Sequence, residues 1–213
     1  VTGCAGPGGM SVGRGSIRGM TSTGRGRGLD MFRDGDFPLY TLTFARDLSP
    51  AELLIRMGVD TETLGFRPAT DLTDDLGDDL FDEDEPVVVA GVDGPWAWAW
   101  EQGGVHGLDA RTLSAVSAGT EAVVLHHNEK PMDWFKYAVG GGVVVDFHTL
   151  QAIEPTGQDP TRLDELMRPL GLVRGRVAPV HGVLALLETA FGIGLTAPGD
   201  EARWSGRLRR LPE

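Results

Sequence analysis

Three tryptophans at alternate positions, Trp96-Ala97-Trp98-Ala99-Trp100, constrain this chain more than any other feature. A strand puts the three indoles on one face and the two alanines on the other, whereas a helix would scatter them. Such a face must either bury a large apolar area or serve as a platform on which a sugar or base stacks. Core packing is the expected role for the stripe, with its outermost ring partly wet. The alanine face leaves room for a helix to lie close. Glu101 follows on that alanine face, at the strand end, where a carboxylate serves as a cap or surface charge, or as a general acid or base.

Around this strand, residues 86–150 read as the organising unit. Strands are expected at 87–92, 96–101, 121–128, 134–139 and 143–149, interrupted by a helix at 109–117 capped by Asp109. Gly140-Gly141-Gly142 is expected as the loop of a hairpin, since short hairpin loops need positive φ. That register sets Trp134 opposite His148, Phe135 opposite Phe147, Lys136 opposite Asp146, Tyr137 opposite Val145, Ala138 opposite Val144 and Val139 opposite Val143. One face is then apolar and the other mixed and charged, as in a half-exposed edge hairpin. His126 and His127, adjacent on one strand, must point to opposite faces and cannot jointly chelate an ion.

The flanks add one strand and three helices. Residues 37–44 alternate as a strand does. Ser49-Pro50-Ala51-Glu52 is a helix start, with Ser49 as cap, Pro50 first and Glu52 closing a capping box; Leu53, Leu54 and Met57 form its buried stripe. Asp159-Pro160 starts another helix, with Leu163, Leu166 and Met167 on one side. A last helix at 179–191 carries Val180, Leu184, Leu187 and Phe191. Trp204 and Leu208 pin the tail. The expected organisation is a Gly- and Arg-rich disordered leader at 1–36, one domain at 37–204 with an acidic insert at 60–86, and a tail at 205–213.

Composition excludes some classes and favours others. The single Cys4 permits no intramolecular disulfide and no cysteine-based metal site. No apolar run is long enough for a membrane span, and a cytoplasmic location is the expectation. The net charge is −12, and nearly all of that excess lies between Asp60 and Glu85, where eleven acidic residues stand against Arg67. Both ends are basic, with Arg14, Arg18, Arg25 and Arg27 in front and Arg203, Arg207, Arg209 and Arg210 behind. That balance argues against nucleic acid as a partner, because phosphate attraction needs a basic face. Within the insert, Asp74, Asp75, Asp78 and Asp79 do not match the ligand spacing of a calcium loop. They are expected as a solvated charge cluster, or as a patch attracting a basic protein partner.

No nucleophile elbow, phosphate-binding glycine loop, dinucleotide fingerprint or H-E-x-x-H is present. Asp146 and His148, two apart on one strand face, are the best chemical pair. With His126 or His127 they would make a metal site or an oriented general base for a hydrolase. A salt-bridged hairpin with Lys136 is the expected alternative, with no catalytic residue, metal or cofactor.

The residues also resemble a known family. Trp96 to Glu101, Leu113-Ser114, Gly119-Thr120-Glu121-Ala122-Val123, Phe135, Tyr137-Ala138, Gly141 and Phe147 carry the likeness. So do Gly157, Asp159-Pro160, Leu163, Met167, Gly171 and the closing Phe191-Gly192-Ile193-Gly194-Leu195-Thr196. Together they resemble a family of small acidic actinomycete proteins known as a domain of unknown function. The likeness runs from about Phe37 to Trp204 and departs at the triple glycine, where the family more usually has Asp-Gly. It implies one domain and supplies no activity or catalytic residue.

The expectation is therefore an α+β domain, with a mostly antiparallel sheet of about six strands and packed helices. Its expected function is that of a non-enzymatic, cytosolic interaction protein, inhibitor- or immunity-like. Binding candidates are Trp96, Trp98, Trp100, Glu101 and the four insert aspartates; the hydrolase built on Asp146 and His148 is the alternative.

Overall fold

The computed structural model describes residues 28–33, 37–68, 86–130, 132–195 and 203–209. Eight strands form one antiparallel sheet: β1 (Tyr40–Arg46), β2 (Gly65–Arg67), β3 (Val87–Asp93), β4 (Trp96–Gln102), β5 (Glu121–Asn128), β6 (Met132–Val139), β7 (Gly142–His148) and β8 (Arg203–Arg207). Their order is β2-β8-β3-β4-β1-β5-β6-β7. Among the described residues four α-helices complete the fold: α1 (Pro50–Arg56), α2 (Ala110–Val116), α3 (Asp164–Met167) and α4 (Gly182–Phe191). The α+β class holds. The expected count of about six strands does not, because β2 and β8 extend the sheet beyond β3.

The alternation on the tryptophan strand divides the core into two layers. Trp96, Trp98, Tyr40, Leu42, Phe44, Phe135 and Phe147 bury one face beneath Val183, Leu184, Leu186 and Leu187 of α4. Ala97, Ala99, Ala45, Ala90, Ala122 and Ala138 line the other face, against Leu53 and Leu54 of α1 and Leu113 and Val116 of α2. The alanines set that helix layer close to the sheet; the aromatics fill the thicker layer opposite. Gly91, opposite Trp98, makes room for the indole, since a Cβ there would lie 2.4 Å from its ring.

The helix starts follow their caps. Glu52 N donates to Ser49 Oγ at 3.2 Å, although the Glu52 carboxylate turns to Arg56 at 2.6 Å instead of closing a box. Asp109 accepts from Arg111 N and Thr112 N at the start of α2. Elsewhere the expected helices are shorter. Gln158 N and Asp159 N are committed to Val143 O and Val144 O of the edge strand, so α3 begins only at Asp164 and Leu166 is exposed. Val180, expected on the stripe of the last helix, precedes α4 and is 84% exposed.

The hairpin register is correct for its outer four pairs, from Trp134↔His148 to Tyr137↔Val145. Nearer the turn it shifts, with Ala138 opposite Val143 and Val139 opposite Gly142. The loop is two residues, Gly140 and Gly141, both at positive φ, because a two-residue turn of that kind matches the strand twist. A bulge between Tyr137 and Ala138 takes up the extra residue. The segment beyond β7 also returns to it: Thr156 and Asp146 exchange both backbone hydrogen bonds, which covers part of the sheet edge.

Candidate functional site

On the alanine side, the strand register aligns one row of polar and aromatic residues across five strands. Glu101 pairs with Thr41, Thr41 with His126, His126 with Trp134 and Trp134 with His148. The connection from β4 to α2 folds over the first part of this row. Glu101 is 1% exposed, and its two oxygens accept from His106 N at 2.8 Å and Gly107 N at 2.9 Å. The same oxygen that receives His106 N lies 3.5 Å from His106 Nδ1. Thr41 Oγ1 donates to Gly104 O at 2.6 Å. The glycines are needed for this approach: a Cβ on Gly107 would stand 2.2 Å from Thr43 Oγ1, and one on Gly104 2.6 Å from Glu101 Oε2. Glu101 therefore anchors a loop to the sheet with both carboxylate oxygens.

His126, 5% exposed, is next in the row. Its Nδ1 lies 2.9 Å from Thr41 Oγ1. A threonine hydroxyl has one proton, and Gly104 O receives it, so Thr41 accepts from His126 Nδ1–H. The neutral ring then carries its lone pair on Nε2. Burial lowers the imidazole below its ordinary range, partly offset by the charges of Glu101 and Asp133 and a hydrogen bond to the Tyr40 backbone, and assisted by His127. His126 is consequently neutral at neutral pH, with Nε2 an acceptor.

Above His126 lies an open groove of about 500 Å³. Val105, Leu108, Met132 and Trp134 form its apolar wall, and His126, Asn128 and Asp109 its polar positions. Trp134 is fixed in place, because its Nε1 donates to Asp146 Oδ1 at 2.8 Å and its ring meets His148 edge-on. Lys136 lies between these elements, donating to Leu108 O at 3.1 Å, 3.6 Å from Asp146 and 5.6 Å from the Trp134 ring centre. The pair at Lys136 and Asp146 is thus built into a partly buried network.

The proposed ligands of the hydrolase alternative are not gathered. His126 and His148 share a row but are two strands apart, about 10 Å at the backbone, with the Trp134 indole between them. His127 points to the opposite face, where it stacks on Tyr40 and binds Asp133 at 2.7 Å. Among the described residues no three His, Cys, Asp or Glu side chains are placed to share an ion. The tryptophan stripe is covered: Trp96 is fully buried and donates to Phe191 O, Trp98 is 4% exposed, and Trp100 is partly buried against Phe32 and Phe37. Phe32 and Leu29, inside the stretch expected as a leader, are core residues. Asp74, Asp75, Asp78 and Asp79 lie outside the described residues.

The sequence does not single out the groove, because its walls come from the loop before α2 and from the β5–β6 hairpin. Only the pairing of His126 with both Thr41 and Trp134 brings them together. Among the described residues no helix is long and apolar enough to cross a membrane. No curated protein and no solved structure matches the chain. One family model does match, over residues 30–198, which takes in the sheet from β1 to β7, all four helices and every wall of the groove. The chain belongs to the family of unknown function DUF6461.

Proposed function

We propose that this protein is a non-enzymatic binding protein that uses the groove beside Trp134 to hold a protein partner, in an inhibitor- or immunity-like role. One observation carries the reading: the acidic groups around the groove are occupied by structural hydrogen bonds, while its wall is apolar. Glu101 is held by two backbone N–H groups, Asp109 caps α2, and Asp146 receives the Trp134 indole. A general acid or base must reach its substrate directly or through one water, and each of these carboxylates has at least one oxygen engaged in holding the fold together. Val105, exposed at 52%, Met132 and the fixed Trp134 instead offer the kind of apolar centre, bordered by a few polar groups, that binding sites use.

Affinity capture from a native lysate tests this, with the wild type beside a Val105→Ser/Trp134→Ala variant shown to melt normally. The expected result is one or a few proteins retained by the wild type and lost from the variant. Equal recovery on both would remove the groove from the binding role. Turnover of a hydrolysable ester or phosphoester panel, abolished by His148→Ala, would replace this reading with the hydrolase.

A further inference from the structure

The groove combines a fixed aromatic wall with one hydrogen-bond acceptor in its floor, and that combination selects among guests. Trp134 cannot swing away without giving up Asp146. His126 cannot turn its proton toward the groove without leaving Thr41, whose own proton is engaged by Gly104 O. His126, which lines the groove, therefore has Nε2 as its acceptor, a tautomer set by hydrogen bonds two residues away. A purely aliphatic guest would cover this nitrogen and leave it unpaired, a cost that burial makes substantial. A guanidinium or ammonium guest would meet Lys136, whose ammonium already lies over Trp134. A carboxylate guest would meet the lone pair of Nε2 and the Asp109 carboxylate on the rim. The charged groups around the floor are Glu101 below, Asp109 at the rim, and Lys136 with Asp146 beyond Trp134; the Lys136 ammonium is turned to Leu108 O and Asp146.

We propose that the groove takes one neutral aromatic ring bearing a hydroxyl donor, a tyrosyl side chain of the partner, with the ring against Trp134 and Met132 and the hydroxyl donating to His126 Nε2. This rests on the groove being the recognition face. Tyrosine suits the position because it brings a large apolar body and a polar tip, and a buried tip needs its partner. An aromatic anchor filling a pocket is also what dominates many protein interfaces.

The probes are p-cresol and its methyl ether, 4-methylanisole, which has the same ring and no donor. Each is titrated into the full-length protein at pH 8, where His126 is neutral, and the His126 ring and Trp134 indole are followed by NMR. The expected result is saturable perturbation of both residues, with p-cresol binding about three- to tenfold more tightly, the range one net hydrogen bond supplies. Thr41→Val, checked for an unchanged melting profile, releases the tautomer. It should bring the two affinities together while the ether still binds. Should that variant unfold, lowering the pH to protonate Nε2 in the wild type provides the same comparison and should likewise abolish the preference. Equal affinity of the two probes at pH 8, or perturbation only at distant residues, would overturn the tyrosine pocket. The affinity capture does not depend on this ratio, so the two readings fail separately.

Discussion

Tyr137 shows how one side chain ties the sheet to its own pH dependence. It is 7% exposed, and its hydroxyl donates to Glu121 Oε2 at 2.7 Å, while Arg46 holds the other oxygen at 2.6 Å. Burial, then the hydrogen bond to Glu121 and its charge, raise the phenol from 10.0 to about 12. Burial pushes Tyr40 up as well, with help from Asp133. A folded value above the unfolded one means that the unfolded chain loses its proton first as the pH rises. The stabilisation from Tyr137 is therefore complete below 10 and is lost between 10 and about 12. Denaturant melts across that window should show stability falling, and Tyr137→Phe should flatten the fall in part, leaving the Tyr40 share. At neutral pH the variant should cost about 1.5 kcal/mol, the low end for a hydrogen bond to a charged acceptor, since Glu121 keeps its arginine. A wild-type curve level from pH 9 to 12 would contradict this. At this scale the sequence was legible where periodicity decides direction. The faces of Trp98, His126 and His127 followed from alternation alone. The work of Glu101 did not, because its partners are backbone groups of a loop whose path no periodicity encodes.

Elements were legible where a local signal and the tertiary pairing agree. Ser49-Pro50 and Asp109 mark helix starts that the packing also requires, and the β6–β7 hairpin has matching faces and glycines. β8 carried no such signal. Arg203-Trp204-Ser205-Gly206-Arg207 has two arginines and no apolar alternation, and it is a strand because β2 and β3 bond it on both sides. Gly206 is set by contact, since a Cβ would lie 2.4 Å from Val59, and Arg203 lies over Trp98. The hairpin turn gives the element-scale prediction. Gly140 has φ 59 and Gly141 φ 89, and neither Cβ would clash. Asparagine tolerates the left-handed region and restricts the unfolded chain more than glycine does. Gly140→Asn should thus leave stability unchanged or raise it by a few tenths of a kcal/mol, whereas a β-branched residue at Gly141 should cost about 1–2 kcal/mol in backbone strain. Urea midpoints of the two variants check this.

For the whole molecule, the charge distribution matters to the proposed binding role as well as the groove does. The chain carries −12 overall, and the segment from Asp60 to Glu85 holds nearly all of that excess. In the chain this segment runs from the end of α1 to the start of β3, two elements that pack on each other through Leu53, Leu54, Val88 and Ala90. A concentrated negative field speeds encounter with a basic protein, and salt screens it over about 8 Å at physiological ionic strength. Contacts made in an apolar groove depend far less on salt and govern dissociation. The two features should therefore separate kinetically once a partner is in hand. Changing Asp74, Asp75, Asp78 and Asp79 together to Asn should lower the association rate about tenfold at low salt and hardly at all in 0.5 M NaCl, with dissociation and melting temperature nearly unchanged. Trp134→Ala should do the reverse, raising the dissociation rate at every salt concentration. Surface-plasmon or stopped-flow measurements at three salt concentrations would read both. If the quadruple variant associates like the wild type at low salt, the insert has no part in capture, and binding belongs to the groove alone.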